Sequence, residues 1–187
     1  MGQRHQVFLV ARVIARSATQ PRYRCIGAYH HQWWVCYGRL PLMAARRFLT
    51  LIKQEDNNRL VREELRTLQG KYGEGTTEPR MPDVPCPYAT FLMASAWCVD
   101  LESPFYGSGV SFKNSVLDAH MGSTDGDNND GITVFDVTDP ADPSYCFVSG
   151  RVPLTAEQYC RAYYPVPKAD RMDKEGVKET EEDVQKK

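Results

Sequence analysis

QVFLVARVI (Gln6–Ile14) and YRCIGAYHHQWW (Tyr23–Trp34) are the two stretches that decide the fold. Both are rich in β-branched and aromatic residues, and Ser17, Thr19 and Pro21 between them are turn formers, which predicts two neighbouring antiparallel strands. Side chains alternate across a strand, so Val7, Leu9, Ala11 and Val13 share one face while Phe8, Val10 and Ile14 share the other. Apolar residues on both sides predict a central strand covered on both faces.

Outward from these strands the period changes. After Pro41, whose fixed φ suits a first helical turn, Leu42, Ala45, Leu49 and Ile52 recur at three- to four-residue spacing. Glu55 to Asn58 supply a break or a new cap, and Leu60, Val61, Leu65 and Leu68 continue the stripe to Gly70, giving a helical hairpin or one kinked helix. Residues 70–87 hold four Pro and three Gly and read as an exposed loop. Pro87 starts a short helix through Ala96, with Trp97 to Leu101 extending into a strand, and residues 102–124 read as irregular. Ile132–Val137 and Tyr145–Val148 form a hairpin around an Asp/Pro-rich turn. A last helix begins at Leu154, capped by Thr155, and ends at Pro165. Thirteen of the twenty residues from Lys168 to Lys187 are charged, too few apolar groups to offset the entropy of ordering them. The expectation is one α+β domain over residues 1–167, followed by a disordered tail over 168–187. In it, an antiparallel sheet from segments near residues 6, 23, 97, 132 and 145 packs against the 41–70 hairpin.

No apolar run approaches the eighteen residues of a membrane span, and the start carries neither a myristoylation pattern nor a signal peptide. The expected setting is therefore the cytoplasm, away from membranes. Six cysteines without Cys-x-x-Cys spacing read there as buried thiols. The net charge of −1 hides an asymmetry: residues 1–54 carry eight arginines, Lys53 and no acid, whereas residues 81–150 carry ten acids against Lys113. Either the two segments compensate each other inside the fold, or the arginines meet an external polyanion; a pI near 6.4 favours the first.

Three groups of residues bear chemistry. Asp125, Asp127, Asn129 and Asp130 place oxygens at the spacing of a hard-cation loop, making Ca²⁺ the candidate ligand. The EF-hand pattern nevertheless fails, because Asp130 stands where Gly is needed and Asp136 where a bidentate Glu belongs. The same residues also suit a plain turn into a hairpin. His30 and His31 are candidate general bases; being adjacent on a strand, they face opposite ways, His31 with Tyr29 and Trp33, His30 with Ala28 and Trp34. The ordinary reading makes one a core histidine and one a rim histidine. Arg22 and Arg24 with Trp33 and Trp34 interleave cations and π-faces as single-strand nucleic-acid binders do. Phosphate loops, dinucleotide fingerprints, nucleophile elbows and Cys/His zinc spacings are missing.

Met1-Gly-Gln-Arg-His-Gln6, Tyr29-His-His-Gln-Trp33, Cys36-Tyr-Gly38, Pro85-Cys-Pro-Tyr88, Ala96-Trp-Cys-Val-Asp100 and the Asp125–Asp136 hairpin entry carry a resemblance. Over residues 1 to about 150 the chain resembles filamentous-fungal hypothetical proteins opening with MGQRHQ. That group brings no assigned activity and no catalytic residue; it implies a fungal source. Trp34-Val35 lengthens the link seen in that group by two residues, which preserves strand parity.

The leading expectation is an intracellular binding or regulatory module, acting on a protein partner or polyanion, whose Asp/Asn loop holds a divalent cation. The alternatives are a metal-assisted hydrolase of a phosphoester or amide, using that loop with His30 or His31, and a single-stranded nucleic-acid binder.

Overall fold

The computed structural model describes residues 3–33, 38–73, 75–97, 113–120, 131–149 and 151–164. Its elements follow the order β1 (Gln3–Val13), β2 (Arg22–Trp33), α1 (Arg39–Ile52), α2 (Glu55–Leu68), α3 (Pro87–Trp97), β3 (Lys113–Leu117), β4 (Ile132–Asp136), β5 (Ser144–Ser149), β6 (Val152–Leu154) and α4 (Ala156–Tyr163). The strands make one sheet in the order β3-β2-β1-β4-β5-β6, so the fold is α+β.

The expected pair of N-terminal strands is present: β1 and β2 run antiparallel, with Val7 opposite Tyr29 and Val13 opposite Arg22. The register slips between Leu9 and Val10, leaving Ile26 as the extra residue of a bulge. β1 is central because β4 lies on its other side, and this pairing is parallel, Val7 opposite Thr133. The sheet is therefore mixed rather than wholly antiparallel. A parallel neighbour needs a long crossover, and here α1, α2, α3 and β3 all intervene between the two strands.

Two further expectations are corrected. Trp97 belongs to α3, wholly buried against Phe135 with ring centroids 5.8 Å apart, and the rest of the strand expected over 97–101 lies outside the described residues. The outer strand beside β2 is β3, within the stretch read as irregular, and β6 adds a three-residue edge that the sequence reading lacked. β3 is short and alternates Asn114, Ser115 and Val116, which carries little apolar signal.

The helices cover one face of the sheet. Val7, Leu9, Ala11 and Phe135 on that face are fully buried beneath Phe48 and Ile52 of α1 and Ala89, Met93 and Trp97 of α3. Phe48 meets Phe135 edge-on at 4.7 Å, and burial of one such ring is worth about 1.5–3 kcal/mol. α3 approaches β2 closely because residue 27 is glycine: an added Cβ would overlap the Thr90 hydroxyl. Glu64 of α2 fixes the start of α3, its carboxylate accepting the Tyr88 and Ala89 backbone N–H groups at 2.7 and 2.9 Å. α4 starts at a capping box of Thr155 and Gln158, as the sequence suggested for Thr155. Its Tyr159 stacks on Phe147 at 4.2 Å and accepts the Gly38 N–H at 3.0 Å, which ties β5 to the entry of α1. The charged segment 168–187 lies outside the described residues.

Candidate functional site

Burial of polar groups at one end of the sheet follows from strand order. The register sets His5 opposite His31 and Gln6 opposite His30 across β1 and β2. Asn114 of β3 stands opposite His31, and Ser115 opposite His30. The two adjacent histidines do face opposite sides of the sheet, as expected. Neither is a rim histidine, because β3 covers the flank of β2 and leaves His30 and His31 only 9% and 5% exposed.

On the helix-covered face, His5 Nε2 and Thr133 Oγ1 share a 2.8 Å hydrogen bond. Burial, with the nearby His30 charge, lowers the His31 pKa to about 4 against a favourable contact from Asn114, so the imidazole is neutral near pH 7. On the opposite face, the buried Gln6 Oε1 and His30 Nδ1 have no hydrogen-bond partner among the described residues. Gly131 leads into β4 here, with φ +108°, and a Cβ on it would lie 3.7 Å from the His5 ring. Gly131, the first described residue before β4, thus stands beside His5, one strand away from His30 and His31. Asp125, Asp127, Asn129 and Asp130 lie outside the described residues.

The arginines occupy the other end. Arg22 and Arg24 open β2 and line a cavity of about 360 Å³ at the β1–β2 connection. Trp33 closes the same strand nine residues beyond Arg24, roughly 30 Å away at strand rise. Tyr29, between them, is buried. The expected cation–aromatic row is therefore split along the strand, and Trp34 with the Trp33 side chain falls outside the described residues.

A third constellation, not anticipated from the sequence, forms where the loop before α3 meets the turn after β3. One ligand atom from each of Asp83, Asp118 and His120 lies within 4.8 Å of the other two. The two loops are joined by the Ala119 N–H donating to the Asp83 carbonyl at 2.8 Å. Asp118 Oδ1 accepts the His120 N–H at 2.7 Å, an Asx turn that folds the two side chains' carriers together. His120 Nε2 lies 2.9 Å from the Met81 carbonyl, a partner that only an N–H can satisfy, so the neutral ring carries its lone pair on Nδ1. The charge of Asp118 reaches Cys25, whose thiol is pushed up by burial first and by Asp118 in addition, with a hydrogen bond to the Gly27 backbone acting against them. Asp118-x-His120 was readable as an i, i+2 pair of ligand types, but Asp83 is 35 residues earlier in a proline-rich loop and no spacing rule links them.

The free thiols among the described residues are Cys25, Cys86, Cys146 and Cys160. No helix among the described residues is long and apolar enough to cross a membrane. The chain matches no protein-family model, no curated protein and no solved structure.

Proposed function

We propose that the protein is a divalent-metal-binding module whose centre is Asp83, Asp118 and His120. The observation that carries this reading is the convergence of one imidazole and two carboxylates within 4.8 Å on two loops tied to each other. A mixed nitrogen–oxygen donor set suits Zn²⁺, Mn²⁺ or Fe²⁺ better than Ca²⁺, which takes six to eight oxygens. The backbone carbonyl behind the imidazole is the outer partner that metal-bound histidines commonly have.

Three protein ligands leave coordination positions for water, the starting point of metal-assisted hydrolysis. His30 and His31 do not serve this centre as bases: Ala28 pairs with Leu117, so His30 lies about three residues along the ladder from Asp118, roughly 10 Å. Proton transfer needs direct contact or one water. Binding is therefore favoured over hydrolysis.

Calorimetric titration of the metal-free protein with Zn²⁺, Mn²⁺ and Ca²⁺ tests the reading. We expect Zn²⁺ or Mn²⁺ to bind more tightly than Ca²⁺, and Asp118→Asn and His120→Gln each to weaken binding at least tenfold. At a hundred times its Kd the metal should add about 2.7 kcal/mol, raising the melting midpoint by about 5–10 °C. Binding lost in Asp127→Ala and kept in both other variants would transfer the site to the Asp/Asn loop and overturn this assignment.

A further inference from the structure

The proposed metal centre straddles a junction in the fold, and on one side of that junction is the edge strand β3. Among the described residues β3 pairs with β2 alone, from Ala28 opposite Leu117 to Gln32 opposite Lys113. Ser115 is exposed and Asn114, Val116 and Leu117 are only half-buried, so the strand puts little apolar surface into the core. Short edges with few buried contacts are the parts of a sheet that open at the lowest free-energy cost.

The other side of the junction is fixed. Cys86 N–H donates to the Ile26 carbonyl of β2 at 3.1 Å, and Glu64 accepts the Tyr88 and Ala89 N–H groups, so the chain is anchored where it enters α3. Asp83 stands just before this anchor, whereas Asp118 and His120 stand on the turn that leaves β3. Two polar contacts already span the gap: the Ala119 N–H to the Asp83 carbonyl at 2.8 Å, and His120 Nε2 to the Met81 carbonyl at 2.9 Å. The same approach brings two carboxylates within 4.8 Å of each other, and a single imidazole does not cancel both charges. A divalent cation reverses the sign of that contact and crosslinks the turn after β3 to the base of α3.

We propose that the centre is a metal-dependent latch on β3: the ion closes the strand onto β2, and its release lets the strand open. The inference rests on the metal reading above and adds its conformational consequence. Asn114 stands opposite His31 and Ser115 opposite His30, both histidines being buried, so release of the ion bares the His30–His31 edge of β2.

The test is hydrogen exchange of the full chain, read by mass spectrometry with and without Zn²⁺, with calorimetry on the same samples. At a hundred times its Kd, Zn²⁺ should slow exchange of the amides of residues 113–119 about a hundredfold, because opening must first release the ion. β6 and α4, at the opposite edge, open without disturbing the centre and should keep their rates. Asp83→Asn, an exposed change on the anchored side, leaves Asp118 and His120 to bind the ion more weakly. Saturating Zn²⁺ should then no longer slow β3. Binding heat with unchanged exchange at β3, with equal slowing at both edges, or with full slowing in saturated Asp83→Asn would overturn the latch and leave the metal site standing. Absence of binding heat in the parent would overturn both.

Discussion

At the scale of single residues, Gly27 has a structural duty that its place in a strand makes unusual. Glycine weakens strands, yet here the missing side chain admits Thr90 of α3, whose hydroxyl is in turn held by the Cys86 carbonyl at 2.7 Å. The hydroxyl cannot swing away without losing its own acceptor, although the Cys86 carbonyl keeps the Thr90 N–H at 2.9 Å. Gly27→Ala should therefore cost about 1–3 kcal/mol and lower the melting midpoint by several degrees. Thr90→Ala in the same chain removes the overlapping oxygen, while Thr90 Cβ, 3.3 Å from the new methyl, stays, so rescue should be partial. A double-mutant cycle with a coupling above about 0.5 kcal/mol would establish the contact, and strict additivity would refute it. Nothing in the segment around Gly27 announces this duty in one dimension, because Thr90 lies 63 residues later. The alternation of Val7, Leu9 and Ala11, by contrast, needed no partner to be read.

At the scale of elements, the starts of α3 and α4 were legible because their signals are local, whereas α1 begins at Arg39, ahead of Pro41, and neither α1 nor α2 carries a side-chain cap. Pro87 opens α3 and Thr155 caps α4 as their residue types predict. The acceptor for the first N–H groups of α3 was not legible, since it comes from another helix. Glu64 supplies it, at the positive end of the helix dipole, and partial burial pushes its carboxyl up while the two N–H groups of Ala89 and Tyr88 pull it down. Glu64→Ala leaves both donors without their acceptor and should destabilise the protein by about 1–2 kcal/mol, whereas Glu64→Gln, keeping one oxygen, should cost less. Urea denaturation distinguishes these outcomes: equal losses in the two variants would mean that packing of the stem, not the cap, is what counts. β3 escaped the sequence reading for the opposite reason. Its five residues are specified by pairing with β2, Ala28 opposite Leu117 through Gln32 opposite Lys113, and not by any period of their own.

At the scale of the whole molecule, strand order decides what the histidines experience. The sequence put His30 and His31 on opposite faces correctly, but whether either reached water depended on β3 and β1 flanking them, and the parallel β1–β4 pairing could not be read across the 118 residues that separate Val13 from Ile132. The consequence is a pH dependence of global stability. His31 faces His5 of β1 and Asn114 of β3, with Tyr29 next along its own face, and its pKa falls from 6.5 to about 4 in the folded chain. Between those values the unfolded chain binds a proton that the folded chain refuses, so stability rises with pH through this window and is lost as pH falls from about 6.5 towards 4. The upper limit of the effect is on the order of 3 kcal/mol. Carboxylates also protonate over this range, so the informative quantity is a difference: unfolding free energies by urea for the parent and for His31→Gln, at about pH 7 and about pH 4.5. The parent should lose up to about 3 kcal/mol more than the variant between the two conditions, because glutamine occupies the site without a proton to gain. Equal losses would show that the folded chain accepts a proton on His31 readily, and hence that the cross-strand cluster opens to water at acid pH.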